Sequence, residues 1–231
     1  PEMSDSFIPV LTIDGPSGAG KGTVSRLAAA RLGWHYLDSG ALYRLTGLAA
    51  RLAGLEPEAV NEAEIADLAA SLPVQFGPGR IWLGGNEVTE HIRTEAAGMD
   101  ASRVSALPSV RQALLDLQRG FARLPGLVAD GRDMGTLIFP AAPLKIFLTA
   151  DAAQRAERRH KQLISKGIPA KIDSLHADLE ARDARDTSRT ASPLKPAQDA
   201  LLLDNSQLSI DQSVEQVLDW WQMRQPFQPD I

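Results

Sequence analysis

Short apolar runs alternate along the chain with longer stripes of spaced apolar positions. Val10-Leu11-Thr12-Ile13-Asp14 is a compact β-branched run and reads as a buried strand. After a glycine-rich interval, Val24, Leu27, Ala28, Arg31 and Leu32 fall at helical spacing, and Gly33 is placed to stop that helix. His35-Tyr36-Leu37 predicts a second short strand. Asp38 or Ser39 can cap the next helix, which carries Leu42, Leu45, Leu48, Ala49 and Leu52 and ends at Gly54. A third helical stretch runs through Ile65, Leu68 and Ala69.

The texture changes after Pro73. Val74-Gln75-Phe76, Arg80-Ile81-Trp82-Leu83 and Asn86-Glu87-Val88 are short runs split by Gly77-Pro78-Gly79 and Gly84-Gly85. They predict a small antiparallel meander inserted in a larger α/β domain. Pro108 suits the first turn of a helix, and Val110, Leu114, Leu117, Phe121 and Leu124 then form one long stripe broken by Pro125-Gly126. Leu127–Asp130, Leu144–Leu148 and Leu201–Asp204 predict further strands. Asp151 is expected to cap a strongly basic helix holding Arg155, Arg158, Arg159, Lys161 and Lys166. A second charged helix contains Leu175, Leu179 and Arg182, and a closing helix shows Val214, Val217, Leu218 and Trp221 on one face. Strands alternating with helices predict an α/β fold with a parallel sheet covered on both faces. Ligands in such sheets bind beyond the carboxyl ends of the strands. Gly15, Asp38, Asp130 and Asp151 all follow strand ends and are expected to converge on one rim.

Composition narrows the function classes. A chain of 231 residues is enough for one α/β domain, with or without insertions. Hydrophobic residues at 44% and charged residues at 23% are ordinary for a globular protein. A formal net charge of -5 disfavours a nucleic acid polymer as partner. The absence of cysteine excludes disulfides, thiolate metal sites and a cysteine nucleophile. No apolar run approaches the ~18 residues a membrane span needs. Pro1-Glu2-Met3-Ser4-Asp5 lacks the basic start of a signal peptide. A cytoplasmic location with no membrane partner is the expectation, with Met3 as the natural start and Pro1-Glu2 as an addition. His35, His91, His160 and His176 are scattered, without metal-ligand spacing, and read as structural.

The chemistry starts at Gly15-Pro16-Ser17-Gly18-Ala19-Gly20-Lys21-Gly22-Thr23. Backbone N–H groups of such a loop converge on phosphate oxygens, and the helix N-terminus behind it adds partial positive charge. Lys21 is placed to reach the β- and γ-phosphates of a bound triphosphate. The hydroxyl that usually follows the lysine arrives one residue late, at Thr23. Thr23 is therefore open to contact a phosphate, with a metal held largely through water and phosphate oxygens. No Asn-Lys-x-Asp segment for guanine is present, which argues against a GTPase. Arg44, Arg111, Arg132, Arg155, Arg158, Arg159, Arg182 and Arg189 could bring an anionic acceptor to ATP, since phosphoryl transfer depends on positioning and charge neutralisation. The run from Arg155 to Lys166 is either a solvated helix face or a mobile lid over the triphosphate, and the phosphate loop favours the lid. Asp130, just ahead of Gly131-Arg132-Asp133, could hold magnesium or its water shell, or serve as a turn former. Of Arg132 and Asp133, one is suited to phosphate and the other to a base.

Together, the segments Thr12–Thr23, Leu37-Asp-Ser-Gly-Ala-Leu-Tyr-Arg44, Leu127-Val-Ala-Asp-Gly-Arg-Asp-Met-Gly135 and Arg182-Asp-Ala-Arg-Asp-Thr-Ser-Arg189 resemble the bacterial cytidylate kinases, members of the nucleoside monophosphate kinase family. The resemblance runs from about Ile8 to the closing helix, and the late hydroxyl at Thr23 is part of its pattern. It implies a single P-loop kinase domain built on a five-stranded parallel sheet. The implied parts are a core (about 8–38, 103–150 and 190–231), a monophosphate-binding insertion containing the small antiparallel sheet (about 39–102) and a short helical lid (about 151–189). The implied reaction moves the γ-phosphoryl group of ATP to CMP or dCMP with Mg2+, giving ADP and CDP or dCDP. By the same resemblance, residues 15–23 together with Arg155 and Arg158 bind ATP. Ser39, Arg111 and Asp133 meet the cytosine, with Tyr43 beside them. Ser102, Arg182 and Asp186 hold the ribose, and Arg44, Arg132 and Arg189 clamp the acceptor phosphate. Lys21, Arg132, Arg158, Arg159 and Arg189 supply the catalytic charge, and Thr23 and Asp130 reach the metal through water. A monomer is implied. A P-loop kinase for UMP or a non-nucleotide alcohol, and a nucleotide-binding module without turnover, are the competing readings.

Overall fold

The computed structural model describes residues 7–224, so the reading of Pro1, Glu2 and Met3 lies outside the described residues. The first strand, β1 (Val10–Asp14), is buried along its whole length. The glycine loop leads into α1 (Lys21–Leu32), which Gly33 closes in the left-handed conformation at φ 69. Then come β2 (His35–Asp38) and α2 (Ser39–Leu52). Of the two caps expected for α2 it is Asp38 that acts, accepting the Ala41 N–H at 3.0 Å. After α3 (Glu62–Ala70), the predicted meander appears as β3 (Val74–Gly77), β4 (Arg80–Leu83) and β5 (Asn86–Glu87), paired antiparallel. Its Leu83, with Val74 and Ile81, packs on Ala41, Leu45 and Leu48 of α2.

Three local expectations change. The helix α4 (Glu95–Ser105) has no counterpart in the apolar pattern. Its buried face is Ala97, Gly98, Ala101, Ser102, Val104 and Ser105, too small and polar to register as a hydrophobic stripe. The next helix, α5 (Pro108–Arg119), begins at the predicted proline but ends at Gly120. Phe121 and Leu124 therefore leave the stripe, and Phe121 instead stacks edge-on against Phe76 with ring centroids 6.0 Å apart. Asp151 stands at the N-terminus of the basic helix α6 (Ala152–Ser165), but its side chain makes no capping hydrogen bond.

The remaining elements are β6 (Leu127–Gly131), a π-helical turn over Met134–Ile138, β7 (Leu144–Thr149), α7 (Ile172–Ser188), β8 (Leu201–Asp204) and α8 (Ile210–Arg224). Five strands form one parallel sheet in the order β2-β6-β1-β7-β8. On one face Leu37, Leu42, Leu114, Leu127 and Met134 join the sheet to α2 and α5. On the other, Leu11, Ile13, Val24, Val128, Val217 and Trp221 join it to α1 and α8. Among the described residues, no helix is long and apolar enough to cross a membrane.

The central position of β1 makes its carboxyl end the point from which the chain winds outward in both directions, where such sheets bind ligands. Gly15 starts the loop there at φ 155, and a Cβ on it would lie 2.0 Å from the Leu148 carbonyl oxygen, so no other residue fits. Asp14, also buried, accepts the backbone N–H groups of Met134 and Gly135, each at 2.8 Å. These bonds tie the root of the loop to the turn after β6. Burial pushes the Asp14 carboxyl up from 3.8 to about 6 despite both bonds. A carboxyl raised in the fold contributes stability that is complete below its unfolded pKa and lost as pH rises through its folded one. The stability of the ligand-free protein should therefore decline from about pH 4 to about pH 6 through this group. In urea titrations across that range, Asp14→Asn, which cannot ionise, should show a shallower decline than the parent; an equal slope would refute the assignment.

Candidate active site

The donor side is built at the β1–α1 junction. Gly18 and Gly20 take left-handed conformations at φ 79 and 82, which turns the loop around a concavity ahead of the first N–H groups of α1. Lys21, the first residue of α1, shares the field of Arg132, Asp130 and Asp38. Burial and then Arg132 pull its ammonium pKa down, while Asp130 and Asp38 push it up. The two carboxylates are register partners across β2 and β6. Burial, followed by the Asp38 charge, pushes Asp130 up to about 7, and Tyr36 Oη donates to Asp130 Oδ2 at 2.5 Å. Thr23 lies in the first turn of α1, half-buried. Among the described residues, no group of three or more His, Asp or Glu side chains is arranged to hold a metal alone. Hard carboxylate and hydroxyl oxygens beside a phosphate loop fit an ion that keeps most of its water and takes phosphate oxygens as ligands. Asp151, expected on this rim, is exposed, and its backbone N–H donates to Ser206 Oγ at 3.0 Å.

The residues expected to hold the acceptor meet at a cleft. Ser39, Tyr43, Ser102, Arg111, Arg132, Asp133, Arg182, Asp186 and Arg189 all line it, which is every expected acceptor residue except Arg44. At one end Arg111 Nη2 donates to Asp133 Oδ2 at 2.5 Å, with both side chains buried. Arg111 is further held by the Ser105 carbonyl at 2.8 Å and by the Tyr43 ring, 5.1 Å from its guanidinium carbon. Arg111 Nε, Asp133 Oδ1 and the Tyr43 hydroxyl are buried without a hydrogen-bond partner. Burial also pushes the Tyr43 hydroxyl up to about 12, so it stays protonated. Unpaired buried polar atoms are costly, and their gathering in one cleft marks a place made for a polar ligand.

At the other end the cations crowd together. Arg132 Nε donates to Asp186 Oδ2 at 2.5 Å, and Arg189 Nη1 lies 3.5 Å from Asp186 Oδ1. Burial raises the Asp186 carboxyl, but Arg132, Arg182 and Arg189 outweigh it and hold the group below its usual range. Burial and the charges of Arg132 and Arg44 pull Arg182 down to about 9. Burial, then Arg111, pulls Arg189 down to about 10. Arg44 is lowered chiefly by burial, and its Nη1 donates to the Ile92 carbonyl at 2.6 Å. Gly98 makes this crowding possible: a Cβ there would lie 3.2 Å from Arg44 Nη2 and 3.3 Å from Arg182 Nη1.

The basic run from Arg155 to Lys166 divides: Lys161 and Lys166 are exposed, whereas its three arginines are engaged. Arg155 is buried, donates to the carbonyls of Ala150 and Ser17, each at 3.0 Å, and pairs with Asp183. Arg158 grips Asn205 through its side-chain oxygen at 3.0 Å and its carbonyl at 2.7 Å. Asn205 in turn donates to the Ala19 carbonyl at 2.8 Å. Arg159 pairs with Glu95 on α4. Two of these arginines thus reach the phosphate loop, one directly and one through Asn205. Asp14, Tyr36, Gly98, Gln118, Asp183 and Asn205 were not singled out by the sequence. Asp14 alone carried a usable signal, a carboxylate ending a buried strand directly before the loop.

The profile of the Cytidylate kinase family matches residues 11–223. The chain is 55% identical over 221 residues to a cytidylate kinase of Cupriavidus necator, covering 96% of this chain and 99% of that protein. It is 54% identical over 218 residues to a cytidylate kinase of Chromobacterium violaceum, covering 94% and 97%. It is 56% identical over 213 residues to one of Burkholderia mallei, covering 92% of each. The matched stretch takes in the phosphate loop, the cleft and both charged helices, and the chain belongs to the cytidylate kinase family.

Proposed function

We propose that the protein transfers the γ-phosphoryl group of ATP to CMP or dCMP, giving ADP and CDP or dCDP. The observation that carries this reading is the crowding of Arg132, Arg182 and Arg189 around the carboxylate of Asp186, with Arg44 packed beside Arg182 at Gly98. Buried guanidiniums held this close repel one another and are relieved by a dianion, and the acceptor's phosphate is one. Arg44, Arg132 and Arg189 receive that phosphate, and Ser102, Arg182 and Asp186 receive the ribose. The base lies at the other end of the cleft, against Ser39, Tyr43, Arg111 and Asp133. Asp133 Oδ1, buried and unpartnered, accepts from the exocyclic amine of cytosine. The carbonyl that uracil carries at that position offers it nothing and is repelled.

ATP lies in the loop of residues 15–23, with Lys21 on its outer phosphates. Arg155, Arg158 and Arg159 bring α6 over it. Lys21, Arg132, Arg158, Arg159 and Arg189 together stabilise the charge that develops during transfer. The acceptor phosphate is a nucleophile near neutral pH, since its second pKa is about 6, so no general base is required. The residues act by in-line alignment and charge stabilisation. Thr23 and Asp130 would hold Mg2+ through water, and the ion would supply neutralisation of the charge that the phosphates carry. Residues of about 39–102 form the monophosphate-binding part, those of about 151–189 the lid, and the rest the core. The working form is a cytoplasmic monomer.

ADP release measured against CMP, dCMP, UMP and AMP should be fastest with the cytosine nucleotides; failure of every monophosphate to stimulate release would overturn the kinase reading. Asp133→Asn should lower kcat/KM for CMP by at least tenfold, narrow the gap to UMP and leave KM for ATP within about twofold. Equal losses for both nucleotides would remove Asp133 from base selection. Asp186 keeps Arg132 and Arg189 as partners without Arg182, so Arg182→Met relieves repulsion at little cost. Its melting temperature should rise by about 2–4 °C for each kcal/mol regained, while KM for CMP rises about tenfold. A fall in melting temperature would show that the crowding is not a strain on the ligand-free protein.

A further inference from the structure

Behind the base end of the cleft lies a side chain that the proposed reaction does not use. Gln118 is on α5, fully buried, seven residues and so two turns beyond Arg111 on the same face. Its Oε1 accepts the proton of Ser39 Oγ at 2.5 Å, a short bond between two buried groups. Its Nε2 has no partner of normal hydrogen-bond geometry, although it lies near the Tyr43 hydroxyl. Ser39 itself is confined, because the backbone of Gly131 packs so close that a Cβ there would lie 3.0 Å from Ser39 Cβ.

A serine hydroxyl is both a donor and an acceptor, and its hydrogen turns to suit the ligand. A free Ser39 could accept from the 4-amino group of cytosine or donate to the 4-carbonyl of uracil. It would select neither. We propose that Gln118 is a specificity-determining positioning residue. By taking the Ser39 proton, it leaves only lone pairs facing the cleft, so that a 4-aminopyrimidine is preferred over a 4-oxopyrimidine. Ser39 Oγ and Asp133 Oδ1 then line the cleft as acceptors, and the exocyclic amine of cytosine carries two hydrogens. Neither of these two groups offers a hydrogen to a 4-carbonyl. Gln118 touches no substrate and acts only through the direction of the Ser39 hydroxyl.

The inference rests on the reading of the cleft as a cytosine site, and the two fail differently. If the unaltered protein does not turn over CMP faster than UMP, the cytosine reading falls. If it does, Gln118→Met tests the inference, because methionine is close in size but offers Ser39 only a weak thioether acceptor. The kcat/KM ratio of CMP to UMP should drop about tenfold, by loss with CMP and gain with UMP, while KM for ATP holds within about twofold. In a Ser39→Ala background the same substitution should leave the ratio unchanged, since there is no hydroxyl to orient. Equal losses for both nucleotides would make Gln118 a packing residue, and a ratio change that persists in Ser39→Ala would mean that it does not act through Ser39. Should Gln118→Met fail to fold, Gln118→Glu keeps an acceptor for the Ser39 proton and removes the amide donor. It should hold the ratio within about threefold, and loss of discrimination in that variant overturns the proposal.

Discussion

Asp14 is the joint on which the site depends. It closes the central strand, and its carboxylate holds two backbone N–H groups of the turn that follows β6. The phosphate loop begins one residue after it, and Arg132 and Asp133 lie just ahead of the turn it holds. This side chain adds to the β1–β6 pairing and to the Gly15 N–H donated to the Gly131 carbonyl at 3.3 Å, and together they fix the phosphate loop to the segment that holds Arg132 and Asp133. Phosphoryl transfer needs donor and acceptor in line to within a fraction of an ångström, so this attachment has a direct use. The π-helical turn over Met134–Ile138 is the local irregularity that presents both N–H groups to one carboxylate.

Charge is organised on the same principle of local imbalance. The chain as a whole is acidic, yet its cleft concentrates guanidiniums at one end. Few carboxylates enter that end, and Asp186 is shared between Arg132 and Arg189. At the base end the ratio is different: Arg111 and Asp133 pair one to one, and each keeps an unused atom for the ligand. On the donor side Asp38 and Asp130 stand together beside Lys21. The three regions therefore differ in charge: excess cation at one end of the cleft, a matched ion pair at the other, and neighbouring carboxylates beside the phosphate loop.

Much of this was legible in the sequence because it rests on local patterns. Strands β1, β6 and β7 are short, mostly apolar runs, and α2, α5 and α8 carry full-sized apolar side chains at helical spacing. Ser39, Asp133 and Asp186 lie inside the segments that carry the family resemblance, Arg111 follows from the resemblance without such a segment, and all four line the cleft. Helix α4 escaped because its buried face is alanine, glycine and serine, chosen for closeness to Arg44 and Arg182 and not for apolar area. Gln118 escaped for a different reason. An amide in a helix that also carries Arg111, Asp116 and Arg119 looks like a surface residue, and only the tertiary fold turns it inward to Ser39 at the start of α2. Asn205 likewise acquires its place from a contact spanning most of the chain, from β8 back to Ala19.

The lid arginines show why residue type alone underdetermines role. Three cations in a basic helix near a phosphate loop read as three phosphate ligands. In the ligand-free protein each already has partners: Arg155 on Ser17 and Asp183, Arg158 on Asn205, Arg159 on Glu95. Any contact they make with a triphosphate must replace or share these bonds. Arg155 and Arg158 are held close to the loop they would serve, so the exchange requires short movements and little loss of hydrogen bonding. Arg159 differs, since its partner Glu95 opens the helix that carries Ser102 and crowds Arg44 against Arg182. Exchanging Glu95 for another anion would remove the ion pair that joins α6 to α4.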